Sequence, residues 1–349
     1  MTARRPGVVA VARAAGVSAS TVSNAFNRPE RLSPELRERV LRAAAELGYG
    51  GPDPVARSLR SGRADALGVV FRKPLAEAFE DPATAQLLRG VSDVTDPQQL
   101  AIVLVPGLPD EAPTVAPAVR NAAVDGLILY SLPADDPLVA ATRHRRVPTV
   151  IVDSPAIESD ELGFVGIDDR GAAETAVRHL LDLGHRRLAI LSLGLSAYAH
   201  PGPAGMDVQE QATASVPKAR LEGCARAVRE WSAVPVEQSP SNSVESGRVR
   251  AHALLDRAPD VTALFAFSDP LALGARLAAR ERGLSVPGDL SVVGFDDTAP
   301  ASEDLTSVHQ PLRDKGRIAA ARLLSPGPPG PGVLLPTSLV LRGSTGPPR

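Results

Sequence analysis

Four apolar runs in this chain end on a short polar side chain. Asp153 follows Val152, Ser192 follows Leu191, Ser268 follows Phe267 and Asp296 follows Phe295. If these runs are parallel strands, their polar ends gather along one edge, where open α/β sheets bind small molecules. A carboxylate accepts two or more hydrogen bonds, which suits sugar hydroxyls or purine N–H groups. Arg220 adds a forked donor apt for pairing with an acid beside a polar ring. Phe79, within Ala78–Pro82, offers a flat apolar face. Each position also has a structural reading. Asp269 before Pro270 reads as a helix cap, Asp168 as the cap of the helix after it, and Asp296 and Asp297 as turn-closing residues.

A second group of small polar residues lies near the N-terminus. Ser18 sits where an N-cap belongs, ahead of a stretch in which Val22, Ala25 and Phe26 share one helical face. Ala19, Ser20, Ser23 and Asn24 fall largely off that face. Short side chains on an exposed helix approach base edges closely, and Thr21 and Ser23 also suit phosphate contacts.

Catalytic chemistry has no such support. The six histidines, His144, His179, His185, His200, His252 and His309, are scattered, and none pairs at metal-ligand spacing. HExxH, the phosphate-binding Walker loop, GxGxxG after the first strand and GxSxG are all missing. Ser196 and the single cysteine, Cys224, have no visible partner, and one cysteine makes no intrachain disulfide. No metal, no cofactor and no enzymatic activity are expected.

These residues need elements to position them. Val8, Val11, Ala12 and Ala15 have helical spacing and end at Gly16. A third helix is predicted from Ser33, with Pro34 first and a stripe of Leu36, Val40, Leu41, Ala44 and Leu47 before Gly48. Three short helices with a glycine turn between the first two form a helix-turn-helix plan, or else a plain three-helix bundle. After Arg63 the pattern alternates. Strands are predicted at 66–71, 101–105, 126–130 and 149–152, then at 164–167, 188–191, 263–266, 291–295 and 339–342. Helices fall at 83–94, 115–122, 137–145, 170–183, 218–231, 245–257, 270–282 and 314–324. Such alternation implies parallel sheets covered on both faces, doubly wound, in two successive units. Leu193–Pro217 has no period and reads as an extended surface loop. Ser325–Gly332, rich in Pro and Gly, reads as a linker.

Charge divides the chain in the same place. Residues 1–63 hold eleven arginines and no lysine against five acids, a net of +6, and the remainder carries −8, for −2 overall. A basic head on an acidic body suggests a polyanion-binding module, though a solvated arginine-rich surface would look the same. No run of 18 apolar residues is present and Arg4–Arg5 precede no apolar core, so a cytoplasmic location without a membrane span is expected.

The head's sequence is also specific. Val11-Ala12-Arg13-Ala14-Ala15-Gly16-Val17-Ser18-Ala19-Ser20-Thr21-Val22-Ser23-Asn24, then Asn27, Leu36–Val40, Glu46–Tyr49 and Val55–Leu59, resembles the DNA-binding head of the lactose/galactose repressor family. The resemblance implies that the second helix enters the major groove and that Ala19, Ser20 and Asn24 set operator preference. It places Asn27 at the interface. It makes Val55–Leu59, with Arg57, a hinge helix folding on DNA, whose Leu59 would wedge into the minor groove. That segment is about one and a half turns long, too short to hold alone in water. Two departures matter: Gly7 and Ala10 stand where the family usually has a Thr cap and an Asp, and the stretch Tyr49–Pro54 is slightly longer than usual. Further on, Phe164–Asp169, Leu183–Arg187, Gly283–Asp297 and Leu305–Gln310 resemble the family's effector domain in order. This implies a two-lobed, periplasmic-binding-protein-like fold crossed three times, near 155–163, 295–301 and 325–332. It also implies effector contacts at Arg220, Asp296, Asp153, Ser268 and Phe79, with Asn242 where many members carry a stacking aromatic.

The expected organisation is a helix-turn-helix domain at 1–50, a hinge at 51–63 and an effector domain at 64–349. Its N-lobe would take about 64–157 and 299–326, its C-lobe about 163–295 and 330–349. The expected function is a sequence-specific transcriptional regulator, a repressor acting as a homodimer on a palindromic double-stranded DNA operator. A small, sugar-like metabolite between the lobes would control it. A transport binding protein of the same lobed fold, an α/β enzyme with a basic N-terminus, and a regulator without an effector are the competing readings.

Overall fold

Apolar residues spaced by three and four make each head segment a helix with one face to bury. The computed structural model describes residues 7–51, 62–106, 118–133, 136–139, 142, 147–154, 162–196, 199–298, 303–328 and 330–349. The chain divides into two compact units, Met1–Ala64 and Asp65–Arg349. In the first, α1 (Val8–Ala15), α2 (Ala19–Asn27) and α3 (Pro34–Glu46) share a small core. Val11, Ala15, Val22, Ala25, Val40 and Ala44 fill it, and Phe26 meets Tyr49 edge-on with ring centres 5.7 Å apart. Gly16 ends α1 at φ +65°, and the Val17 N–H turns back to the Ala12 carbonyl at 2.9 Å. Gly7 gives α1 no side-chain cap, and its first turn holds no acid. Ser33 caps α3 through the Leu36 N–H at 3.3 Å. Leu47, expected on the stripe, is exposed, because α3 stops at Glu46 and Gly48 turns the chain at φ +66°. Ala43 is buried in α3 alongside Val40 and Ala44.

The second unit contains two sheets. The first has order β12-β5-β4-β3-β1-β2. It is built from β1 (Ala66–Phe71), β2 (Ala101–Pro106), β3 (Gly126–Tyr130), β4 (Thr149–Val152), β5 (Leu162–Ile167) and β12 (Val333–Leu335). All its pairings are parallel. The second has order β13-β11-β10-β9-β6-β8-β7. Its strands are β6 (Leu188–Leu193), β7 (Gly202–Pro203), β8 (Val236–Ser239), β9 (Ala263–Ala266), β10 (Ser291–Asp296), β11 (Thr306–His309) and β13 (Ser338–Val340). Its two edge strands, β7 and β13, run antiparallel. Central strands such as β1 and β3 are buried throughout, as unbroken apolar runs covered on both faces should be.

Eight α-helices of the second unit are described over their full length. They are α4 (Leu75–Glu80), α5 (Pro82–Thr95), α6 (Asp169–Asp182), α7 (Met206–Glu210), α8 (Ser215–Ala227), α9 (Val244–Arg257), α10 (Asp269–Glu281) and α11 (Leu312–Leu324). Helices α5 and α11 touch through glycines. A Cβ on Gly90 would lie 1.8 Å from the Arg313 carbonyl oxygen, and one on Gly316 would lie 2.1 Å from that of Leu87. None of these helices is long and apolar enough to cross a membrane.

The chain passes between the sheets three times, but later than the sequence suggested. Strand β5 pairs with β4, so the first passage follows Ile167 and not 155–163. Strand β11 pairs with β10, which puts the second between His309 and α11 rather than near 295–301. Strand β12 returns to β5, so the third lies between Leu335 and Ser338, beyond 325–332. Residues 163–167 and 333–335 therefore belong to the first sheet, and 306–309 to the second. An apolar run reveals a strand but not its neighbour, which is why the boundaries shifted.

Two further expectations change. Leu193–Pro217 is not an extended loop: it contains β7 and α7 and leads into α8. Single anchors hold it, with Leu195, Ala204 and Ala212 buried and Gln209 accepting from the Trp231 indole at 2.9 Å. Strand β8 escaped notice because Glu237, Gln238 and Ser239 are polar yet wholly buried. Arg257 and Arg250 from α9 compensate Glu237, the latter at 3.4 Å. Of the helices expected at 115–122 and 137–145, residues 118–121 and 137–139 are helical, and much of the rest lies outside the described residues.

Candidate functional site

The head presents one surface of small polar groups. Ser18 holds α2 by accepting from the Thr21 N–H at 3.1 Å, and its hydroxyl also meets those of Ser20 at 2.7 Å and Thr21 at 2.8 Å. Val22 and Ala25 turn inward, which leaves Ala19 and Ser20 exposed and Thr21, Ser23 and Asn24 half-buried along the outer side. Asn27 is exposed, and its amide donates to the Ser23 carbonyl at 3.0 Å, closing the last turn. Such a face can dock into a groove and offer hydroxyls and one amide to base edges or phosphates. Arg57 and Leu59 lie outside the described residues.

In the second unit, a cleft of about 460 Å³ opens at the carboxyl ends of the strands. Asp153, Arg220, Asn242, Ser268 and Asp296 all line it. Asp153 follows β4 at φ +69°, and Asp296 ends β10 at φ +107°. Both backbones are therefore in a region that L-residues rarely adopt, a strain that concentrates at binding sites. Arg220 reaches from α8 to Asp169, the first residue of α6, with Nε 2.8 Å from Oδ1. It also donates to the Phe267 carbonyl, and its guanidinium carbon stands 3.5 Å from the centre of the Phe295 ring. The stacked, bonded arginine is thereby fixed before any ligand arrives.

A chain of buried polar groups runs beneath the cleft. Lys315, fully buried on α11, donates to Asp153 and to the Gln310 side-chain oxygen. Gln310 passes its amide to Asp296 at 2.5 Å. Burial pushes the Asp296 carboxyl well up from its ordinary range, although Arg220 pulls the other way. Burial likewise raises the Tyr130 phenol and Asp169. At the mouth, Asn242 accepts from Ser268 at 2.5 Å and donates to Asp81 at 3.3 Å. Asp81 in turn takes Lys73 at 2.5 Å.

Two sequence-predicted contacts lie elsewhere. Phe79 is 65% exposed and borders a shallow apolar groove with Leu88, Ile102 and Leu104, not the cleft. On the short α4, Glu77 and Glu80 turn to the cleft one helical turn apart, and Phe79 is carried round to the outside. Ser192 is wholly buried within β6, its hydroxyl spent on the Leu193 carbonyl at 2.7 Å. Leu193, Gly194 and Ser196 line the cleft in its place. Asp269 is no cap either. Ser268 caps α10 through the Leu271 N–H at 3.4 Å. Asp269 accepts instead from the Thr298 N–H at 2.6 Å, the Thr298 hydroxyl at 3.0 Å and the Ser307 hydroxyl at 2.6 Å. Asp168 does cap α6, through the Gly171 N–H at 2.9 Å.

Sequence reasoning missed Gln310, Lys315, Asp81 and Lys73. Gln310 follows β11 closely, by the same strand-end rule that marked Asp153. Asp81 before Pro82 carries an N-cap signal, and it does cap α5 through the Ala83 N–H at 3.0 Å. No sequence signal shows that Lys315 is buried. Among the described residues, no cluster of three or more His, Cys, Asp or Glu could hold a metal ion.

Comparison with known proteins accounts for both halves. Residues 10–51 match the family of bacterial regulatory proteins, lacI family, and residues 177–345 match the periplasmic binding protein-like domain. The HTH-type transcriptional regulator IpsA of Corynebacterium glutamicum is 40% identical over 325 residues, covering 91% of this chain and 90% of that protein. The structure of the Lac repressor dimer bound to operator and the anti-inducer ONPF superposes with a TM-score of 0.76 at 28% identity, over 98% of this chain and 100% of that one. The complex of the regulator CelR with cellobiose gives 0.66 at 31% identity, over 97% of this chain and 100% of that one. A helix-turn-helix head and a two-sheet binding-protein-like body, each matched in order along nearly the full chain, make this chain a member of the LacI family of transcriptional regulators.

Proposed function

We propose that this regulator is a repressor that binds a palindromic operator as a homodimer, and that a small, sugar-like metabolite in the cleft controls it allosterically. The observation that carries the reading is that one chain holds both a helix with an outward face of small polar side chains and a strand-end cleft walled by fixed hydrogen-bonding groups. In this reading residues 1–50 read DNA, 51–63 form a hinge in which Arg57 contacts DNA and Leu59 wedges into the minor groove, and 64–349 bind the effector. The Lac repressor structure with operator and the CelR structure with cellobiose support it by analogy. The chain binds and releases; it turns nothing over.

Effector control is a coupling free energy, about 1–3 kcal/mol, or about 5–150-fold in operator affinity. Operator affinity measured with and without a saturating sugar ligand should move by that factor in the wild-type protein. In Asp296→Ala, which removes an acceptor from the cleft, the factor should fall toward one. A response of full size in the variant would place the sugar elsewhere.

A further inference from the structure

The charge of the cleft wall points to the kind of molecule it takes. Among the described residues, three cations line it: Arg72, Lys73 and Arg220. Each already faces a carboxylate. Arg72 Nε stands 2.9 Å from Asp136, Lys73 Nζ 2.5 Å from Asp81, and Arg220 Nε 2.8 Å from Asp169. Behind the wall, Lys315 is matched to Asp153 in the same way. Glu77, Glu80 and Asp296 add further carboxyl groups to the lining. An entering phosphate would find every one of these cations engaged and would face carboxylates across a partly desolvated space, where like charges repel strongly. A hydroxyl finds acceptors in Asp153 and Asp296, and donors and acceptors in Asn242 and Gln310, and carries no charge to desolvate.

Asp81 holds this balance at the mouth. It is buried, and it accepts from the Ala83 N–H at 3.0 Å, the Thr84 hydroxyl at 3.0 Å, Lys73 at 2.5 Å and Asn242 at 3.3 Å. Lys73 is the most exposed of the three lining cations that are paired this way, with about a quarter of its side chain accessible. It is therefore the cation most easily turned toward a ligand. Building on the effector reading above, we propose that Asp81 sets the charge class of the effector: by engaging Lys73 and reaching Asn242, it makes the cleft select uncharged, polyhydroxylated molecules and reject their phosphate esters.

Asp81→Asn tests this, because Asn remains a good N-cap for α5. Asp81→Ser, another capping residue, serves as the second variant. With inorganic phosphate as probe at constant ionic strength, the wild-type protein should show no saturable binding up to about 10 mM by thermal shift. Both variants should bind phosphate at least about tenfold more tightly, equivalent to about 1.4 kcal/mol. Adding Lys73→Met to either should remove the gain. Saturable phosphate binding by wild type, no gain in the variants, or a gain that survives Lys73→Met would each overturn the proposal. A panel of aldoses, alditols and cyclitols with their phosphate esters supplies the other arm. A neutral compound binding wild type about tenfold more tightly than its ester supports the assignment. An ester that binds as tightly as its parent, or stabilisation by charged compounds alone, overturns it. Operator release separates the two readings. Esters that release the operator would defeat the charge assignment and leave effector control standing. Neutral binding with no effect on the operator would defeat effector control and leave the charge assignment standing.

Discussion

At the scale of single residues, position at the cleft, and not burial, separates the polar groups open to a ligand from those that hold the frame. Asp269 and Asp296 are both buried acids beside the same strands, yet only Asp296 lines the cleft. Burial lifts the Asp269 carboxyl to about 6, against the pull of its bonds from Ser307 and Thr298. An acid raised in the folded state favours folding while protonated. That contribution is complete below about pH 4 and is lost as pH rises through about 6. Asp269→Asn cannot titrate, so its stability deficit against wild type should shrink by about 2 kcal/mol between pH 4.5 and 7.5. Urea denaturation at several pH values reads this, and a deficit constant with pH would contradict it. The strand-end rule made Asp153, Ser268 and Asp296 legible in the sequence, because a strand's exit is visible as the end of an apolar run. It misplaced Ser192, since a strand that continues one residue longer turns the side chain to the opposite face. Phe79 failed for a related reason: its helix was not foreseen, and the face it takes depends on that helix's rotation.

At the scale of elements, the longer helices were legible, while the short α4 and α7 and the sheet neighbourhood were not. The spacing in α1 and the cap at Ser18 follow from local rules, and the structure shows both. The passages between sheets depend on which strands pair, and β5 carries the same kind of apolar run whether it joins β4 or β6. Packing between helices adds constraints that only the assembled structure reveals. Gly90 on α5 and Gly316 on α11 bring two backbones together with no room for a methyl group. Gly90→Ala should therefore cost about 3 kcal/mol of stability, since the obstruction is a carbonyl oxygen and not a flexible side chain. Denaturant titration of the full chain checks this. A loss under about 1 kcal/mol would mean that the helices separate at little cost.

At the scale of the whole molecule, the chain separates a basic head from an acidic body, +6 against −8. That polarity was visible from composition, and it favours one end of the protein meeting a polyanion while the other does not. A DNA contact through arginines releases counterions, so affinity must fall steeply with salt. Two-fold symmetry in the protein would be mirrored by two half-sites about one helical turn apart, or a multiple of that. The central claim is that this regulator reads a symmetric DNA sequence, and one measurement addresses it most directly: selection of randomised duplex DNA by the purified protein at two salt concentrations. The account predicts enrichment of a near-palindrome of about 14–20 base pairs, with affinity falling steeply as salt rises. Recovery of an asymmetric site, or no enrichment at either salt, would contradict it.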